Sequence, residues 1–96
     1  MRRAAKVDAN QTQVVEALRA AGATVQSLAA VGQGVPDLLV GFRGQTVLLE
    51  VKNGRAPPSE RRLTEDQLKW HGEWRGGPLA VVDGPDAALR VLGVIK

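Results

Sequence analysis

Apolar residues form short continuous runs in the middle of the chain, whereas towards both ends they recur at helical spacing. Residues 38–42 and 46–49 are two such runs, and both contain β-branched side chains, as buried strands do. Arg43 and Gly44 between them can form a tight turn, because glycine tolerates a positive φ angle. We therefore predict a hairpin.

Helices and further strands are predicted around this hairpin. The remaining elements are a helix from its cap at Asp8 to about Ala21, a strand over 24–28, a helix from its cap at Thr64 to about Trp74, a strand over 79–82 and a last helix opened by Pro85. A crossover would place strand 79–82 parallel to the strand that contains Glu50. The order α-β-β-β-α-β-α predicts an α/β fold, a single domain over 1–96 with a central mixed sheet flanked by helices.

Three ionisable residues lie at the ends of the two central strands. With a two-residue turn, Phe42 faces Gln45 and Asp37 falls opposite Glu50. Side chains alternate along a strand, so Lys52 shares the face of Glu50. Opposite Cβ atoms of an antiparallel pair lie about 4.5–5.5 Å apart, which lets both carboxylates bind one cation. A turn one residue longer would separate them.

Two adjacent carboxylates repel each other unless a cation lies between them or one of them is protonated. Ligands that are all oxygen favour Mg²⁺ or Mn²⁺. In the alternative interpretation, Glu50 and Lys52 form a surface ion pair and Asp37 is a turn residue after Pro36. The apolar character of both strands argues against this alternative, because a strand with one face in water would alternate apolar and polar residues.

Composition narrows the function classes. The net charge is +3 and the pI is about 10.0, which permits binding to nucleic acid. The chain has no cysteine and one histidine, His71, which argues against a structural zinc site. No apolar run approaches the ~20 residues of a membrane-spanning helix, and the basic start lacks the hydrophobic segment of a secretion signal. We therefore expect a cytoplasmic protein without a membrane partner.

The charged cluster resembles a known active-site motif. Pro36-Asp37 followed after a strand turn by Glu50-Val51-Lys52 is similar to the motif of the PD-(D/E)XK nuclease superfamily. Within that superfamily, the succession of segments 34–37, 48–52 and 63–70 resembles the small stand-alone VRR-NUC domains. The resemblance covers nearly the whole chain.

This resemblance implies a metal-dependent DNA endonuclease with a restriction-endonuclease-like fold, related to Holliday-junction resolvases. Acids at the positions of Asp37 and Glu50 would hold Mg²⁺ or Mn²⁺ together with the backbone carbonyl of Val51. The lysine matching Lys52 would assist the attacking water, and the glutamine matching Gln67 lies near that lysine in the family. The small members are typically homodimers, so we expect a homodimer that acts on DNA, either branched, such as a four-way junction, or duplex.

Two glutamines have both a structural and a functional interpretation. Gln67 occupies the capping-box position of the helix that starts after Thr64, and the resemblance also places it in the active site. Gln11 lies on the apolar stripe of the first helix, where related nucleases often have a glutamate. It can equally complete a capping box with Asp8.

The segment 53–62 is predicted to be a loop without helix, because it is polar and contains two prolines. Arg55, Arg61 and Arg62 follow the proposed metal site along the chain, so they are candidates for contacts with DNA phosphates. The alternative is a solvated loop surface.

Two further expectations concern the surroundings of the site. Gly32 and Gly34, in the loop before Asp37, either let the backbone approach DNA closely or are ordinary turn residues. Trp70 and Trp74 share an apolar helix stripe and are expected in the core.

Two functions from other classes remain open. The first is a non-catalytic DNA-binding module that keeps the nuclease fold, with Gln11 as a mark of lost chemistry. The presence of Asp37, Glu50 and Lys52 argues against it. The second is a small metal-binding domain that serves a protein partner, and the basic loop argues against that.

Overall fold

A computed structural model describes residues 9–96, and the predicted helix cap Asp8 lies outside this range. The elements are α1 Ala9–Ala20, β1 Thr24–Ser27, β2 Leu38–Phe42, β3 Gln45–Val51, α2 Pro58–Arg61, α3 Glu65–Glu73, β4 Leu79–Val82 and α4 Pro85–Val91. This order confirms the predicted succession, with one short helix, α2, added to it.

The four strands form one mixed sheet in the order β1-β2-β3-β4. β2 is antiparallel to both β1 and β3, whereas β3 and β4 are parallel. The parallel pair requires a long crossover connection, and the segment that contains α2 and α3 supplies it. The predicted mixed sheet is therefore confirmed.

The hairpin between β2 and β3 has the predicted two-residue turn. Phe42 pairs with Gln45, and the loop residues Arg43 and Gly44 have φ angles of 48° and 81°. Positive φ at both loop residues is the geometry of a type I′ turn, whose twist matches that of the flanking strands. The prediction that Asp37 and Glu50 lie opposite each other depended on this register.

The hydrophobic core lies on one face of the sheet, beneath α1 and α4. Its buried members are Val14, Leu18, Ala23, Val25, Leu38, Val40, Phe42, Val47, Leu49, Val82, Ala88 and Leu92. On the opposite face of the sheet, α3 lies against the end that carries Glu50. Leu39 and Val81 on that face remain 37% and 48% exposed, so α3 covers only part of it.

The expectation that Trp70 and Trp74 belong to the core is wrong. Neither is a member of the buried cluster, and Trp74 is 38% exposed. The two rings stack on each other with centroids 5.0 Å apart. The face of α3 that meets the sheet lies against a carboxyl group, so it presents the polar side chains of Gln67 and His71 there instead.

The expectation that segment 53–62 contains no helix is also wrong, because α2 forms a single turn within it. Pro57 is the N-cap residue and Pro58 opens the helix. Proline is tolerated at the first helical position, since the N–H that it lacks would have no partner within the helix. Among residues 9–96, no helix is both long and apolar enough to cross a membrane.

Candidate active site

Asp37 and Glu50 lie side by side where β2 begins and β3 ends. Leu38 pairs with Leu49, so the next facing positions along the hairpin are those of the two acids. Glu50 is buried, with 1% of its surface exposed. Asp37 is fixed by its Oδ2 atom, which accepts a 2.7 Å hydrogen bond from the backbone N–H of Val51.

The surroundings of Glu50 raise the pKa of its carboxyl group to about 8. Burial is the largest cause, followed by the hydrogen bond with Asp37 and by the negative charge of that residue, while the positive charge of Lys52 lowers the pKa. Without a cation between them, the two acids therefore retain one proton at pH 7. A cation bound by both would favour the doubly ionised pair and release that proton.

Gln67 connects the start of α3 to both charged groups of the site. Its Nε2 donates a 3.2 Å hydrogen bond to Oε2 of Glu50, and its Oε1 accepts a 2.8 Å bond from Nζ of Lys52. The same Oε1 accepts a 2.9 Å bond from the backbone N–H of Thr64, and the Thr64 hydroxyl accepts one from the backbone N–H of Gln67. The capping box is therefore confirmed, and the amide that completes it also contacts Glu50 and Lys52.

His71 also contacts Glu50, whereas its position beside the tryptophan stripe leaves both a surface role and a role in support of the site open. The distance from its Nε2 to Oε1 of Glu50 is 3.3 Å, and the side chain is only 14% exposed. Burial and then the charge of Lys52 lower the pKa of His71, so the contact is a hydrogen bond rather than an ion pair at pH 7. The signal that could have found it is spacing, because His71 follows Gln67 by four residues on the same helix face.

Asn10 attaches α1 to the carboxyl ends of β3 and β4. Its Nδ2 donates hydrogen bonds of 3.0 Å to the carbonyl of Lys52 and 3.2 Å to the carbonyl of Asp83. Gln11, the residue predicted from the sequence, is 7% exposed and lies among the buried positions of α1. Asn10, for which the sequence offered no signal, is thus bonded to the backbone of Lys52.

The three candidate arginines are exposed on the segment between β3 and α3. Arg55 lines a polar groove with Asn10 and Asp83, and Arg61 and Arg62 lie at the end of α2. Within residues 9–96, none of the three forms an ion pair with an acid. Their guanidinium groups are therefore available to an anionic partner.

Gly34 allows the loop that precedes Asp37 to pack against α3. Its φ angle is 86°, and a Cβ atom at this position would collide with the backbone carbonyl of Asp66. Gly32 also has a positive φ, of 73°, but a Cβ there would have open space around it. Gly34 is therefore required because the loop lies close to the first turn of α3 at this residue.

The donor atoms at the ends of β2 and β3 fit a hard divalent cation. Asp37 and Glu50 offer carboxylate oxygens. In a β-strand, the N–H and the carbonyl of one residue point to the same side. The N–H of Val51 points to Asp37, so the carbonyl of Val51 points to that side as well. Within residues 9–96 no three acidic or histidine side chains form a metal-binding group by themselves. Two carboxylates, a carbonyl and several waters form a set suited to Mg²⁺ or Mn²⁺.

Comparison with known proteins bears on the fold. No family model and no curated protein matches the sequence. Among solved structures, the chain is similar to one described as a "VRR_NUC domain", with 28% sequence identity and a TM-score of 0.65 over 90% of this chain and 92% of that chain. The chain has a VRR-NUC fold. VRR-NUC domains belong to the PD-(D/E)XK superfamily, so the resemblance predicted from the motif is confirmed.

In this VRR-NUC fold, the charged residues occupy the edge of the sheet at which ligands bind in open α/β folds. Glu50 and Lys52 lie at the carboxyl end of β3, where the parallel strand β4 also ends. The hairpin adds Asp37 and helix α3 adds Gln67, so three separate segments meet at one point.

Proposed function

We propose that the protein is a Mg²⁺- or Mn²⁺-dependent endonuclease that hydrolyses DNA phosphodiester bonds, with residues 1–96 as one nuclease domain. The observation that carries the proposal is the pairing of Asp37 with the buried Glu50, beside the ammonium group of Lys52. A bare pair of carboxylates would repel a phosphodiester. A pair of carboxylates that holds a divalent cation attracts a phosphodiester.

Each residue of this group has its own role. Asp37, Glu50 and the carbonyl of Val51 hold the ion, which when bound lowers the pKa of a coordinated water and offsets charge on the phosphate. Lys52 orients the attacking water by hydrogen bonding and stabilises the negative charge that develops in the transition state. Gln67 keeps the ammonium group of Lys52 in place through its 2.8 Å hydrogen bond.

The DNA backbone contacts the arginines that follow β3. Arg55, Arg61 and Arg62 are exposed and lie on the segment that leaves the site directly after Lys52. Contacts of this kind position the phosphate chain without reading its sequence.

A symmetric homodimer would place two such sites on one DNA molecule. An apolar groove lined by Leu39, Leu48, Trp74 and Pro78 supports this proposal, because it offers a surface that a second copy could cover. Two sites suit the cleavage of two strands, and branched DNA such as a four-way junction is the leading substrate, by resemblance to related nucleases.

The decisive experiment is cleavage of junction, flap and linear duplex DNA in Mg²⁺, Mn²⁺ or EDTA. We expect cleavage only with a metal ion. Asp37→Asn and Glu50→Gln should abolish it while leaving the fold and most DNA binding intact. Glu73→Gln, which changes an exposed acid at the end of α3, is the control and should cut normally. Full activity in EDTA, or in either site variant, would contradict the metal assignment.

A DNA-binding module without catalysis is the second candidate. It is favoured by Gln11, which stands where related nucleases often have a glutamate. Under this alternative the wild type binds DNA equally well with and without metal and cuts none. Gln11→Glu is an additional test, since it should tighten Mn²⁺ binding if residue 11 faces the site.

A further inference from the structure

The two carboxyl oxygens of Glu50 are contacted separately by two side chains of α3. Gln67 donates to Oε2 over 3.2 Å, and Nε2 of His71 lies 3.3 Å from Oε1. The two residues are one helical turn apart, so a single rigid element contacts both oxygens. Both side chains are largely shielded from water, which strengthens these contacts relative to exposed ones.

We propose that His71 is a positioning residue, which holds the carboxyl group of Glu50 in the orientation that a divalent cation requires. This inference rests on the proposed function, because Glu50 is a metal ligand only there. Gln67 restrains Oε2 of Glu50, and Asp37 forms a further hydrogen bond with the same carboxyl group. Oε1 of Glu50 is contacted from α3 by His71, whose side chain forms no hydrogen bond with Lys52.

Histidine suits this role for a chemical reason. In its neutral form the Nε2 atom either donates or accepts a hydrogen bond, depending on the tautomer. The contact with Glu50 is therefore kept whether the carboxyl group is protonated or ionised. Without the imidazole, one oxygen of a buried carboxyl group would lose its partner in α3, which is costly for a charged acceptor.

The test measures Mn²⁺ binding to the DNA-free protein by electron paramagnetic resonance of the free ion. His71→Leu keeps an apolar side chain of similar size but removes the ring nitrogens. His71→Gln places an amide near the position of Nε2. Glu73→Gln on the same helix is the control. Residues that orient metal ligands typically change metal affinity or activity by about 10–100-fold, so we expect His71→Leu to weaken Mn²⁺ binding about tenfold or more. His71→Gln should recover most of the loss.

A second readout separates positioning from general stability. In cleavage assays, His71→Leu should raise the Mn²⁺ concentration for half-maximal rate, while the rate at saturating Mn²⁺ stays near that of the wild type. Melting curves in EDTA check the fold. If His71→Leu does not fold, His71→Asn takes its place with the same expectation, because its shorter side chain is polar but does not reach Glu50.

Unchanged Mn²⁺ affinity in a folded His71→Leu or His71→Asn protein would overturn the inference while leaving the metal site in place. Failure of the proposed function gives a different result. In that case the wild type and Glu50→Gln bind Mn²⁺ equally, which overturns the metal site and the positioning role together.

Discussion

The ammonium group of Lys52 donates a 2.8 Å hydrogen bond to the side-chain oxygen of Gln67. That oxygen is simultaneously an acceptor in the N-terminal cap of α3. The position of the lysine is therefore set by a helix that begins after a separate loop, and the strand that ends just before Lys52 does not determine it alone. Any change that shifts the start of α3 also shifts the ammonium group of Lys52, which is proposed to act on the attacking water.

The chemistry of Lys52 can be separated from its charge by Lys52→Arg. Arginine keeps the positive charge but replaces a compact ammonium group with a planar fork. We expect the single-turnover rate to fall about a hundredfold or more, within the range typical of a lost proton-transfer or water-orienting group. Affinity for DNA, measured with Ca²⁺ in place of Mg²⁺, should change little. A variant that cuts at nearly the wild-type rate would show that Lys52 is only an electrostatic anchor.

The two roles of Gln67 can be distinguished with a matched pair of variants. Thr64→Ala removes the capping hydroxyl and should cost about 1 kcal/mol of stability, with cleavage unchanged at temperatures where the protein is folded. Gln67→Ala also loses its bonds to Glu50 and Lys52. We expect its cleavage rate to fall at least tenfold, with a stability loss close to that of Thr64→Ala. Equal cleavage rates in the two variants would show that α3 has only a structural role.

The raised pKa of Glu50 predicts how the stability of the metal-free protein depends on pH. The pKa is about 8 in the folded protein and has its ordinary value of 4.5 in the unfolded chain. Between these values the folded state holds a proton that the unfolded state lacks, so the free energy of unfolding decreases as pH rises. The lowered pKa of His71 acts in the opposite direction, but only below its ordinary value of 6.5.

Melting curves in EDTA between pH 6.5 and about 8.5 therefore isolate the contribution of Glu50. The melting temperature of the wild type should fall by several degrees across this window, since about 1 kcal/mol corresponds to 4–8 °C in a domain of this size. Glu50→Gln has no proton to lose and should show a flatter profile. Parallel profiles for the two proteins would contradict the raised pKa.

The arginines after β3 can be tested by the salt dependence of DNA binding. Contacts with phosphates release counterions, so removal of one contact should reduce the slope of log affinity against log salt by about one unit. We would measure Arg55→Ala, Arg61→Ala and Arg62→Ala in Ca²⁺. Arg90→Ala, on α4, is the control, because its side chain is bonded to the carbonyl of Lys96. If all three slopes match that of the wild type, the segment is only a solvated surface.

The contact between the Asp37 loop and α3 predicts unequal effects for two glycine substitutions. Both Gly32→Ala and Gly34→Ala place a side chain at a positive φ angle, which costs about 1–2 kcal/mol. Gly34→Ala also forces its Cβ into the backbone of Asp66, so it should destabilise the protein more and lower cleavage by displacing the start of α3. Equal melting temperatures and rates in both variants would show that the loop can move away without consequence.

Local patterns in the sequence determined the hairpin and the facing of its charged residues. The two apolar runs and the Arg43-Gly44 turn were sufficient to predict the register, because a turn of defined length fixes every pair that follows it. Asp37 and Glu50 were placed opposite each other by that rule alone. The capping box of Thr64 and Gln67 was equally predictable, since its partners are three residues apart.

Only the tertiary structure decided which face of α3 meets the sheet. At helical spacing Gln67, Trp70, His71 and Trp74 share one broad side of α3, with the tryptophans along one border and the polar stripe of Gln67 and His71 along the other. Apolar character favoured the tryptophans, but the partner surface is the carboxyl group of Glu50, so the polar stripe faces inward. Asn10 likewise gained its role from the meeting of α1 with the ends of β3 and β4. Contacts between segments distant in sequence depend on the chemistry of both contacting surfaces. The periodicity of one segment gives the chemistry of that segment only and not of the surface that it meets.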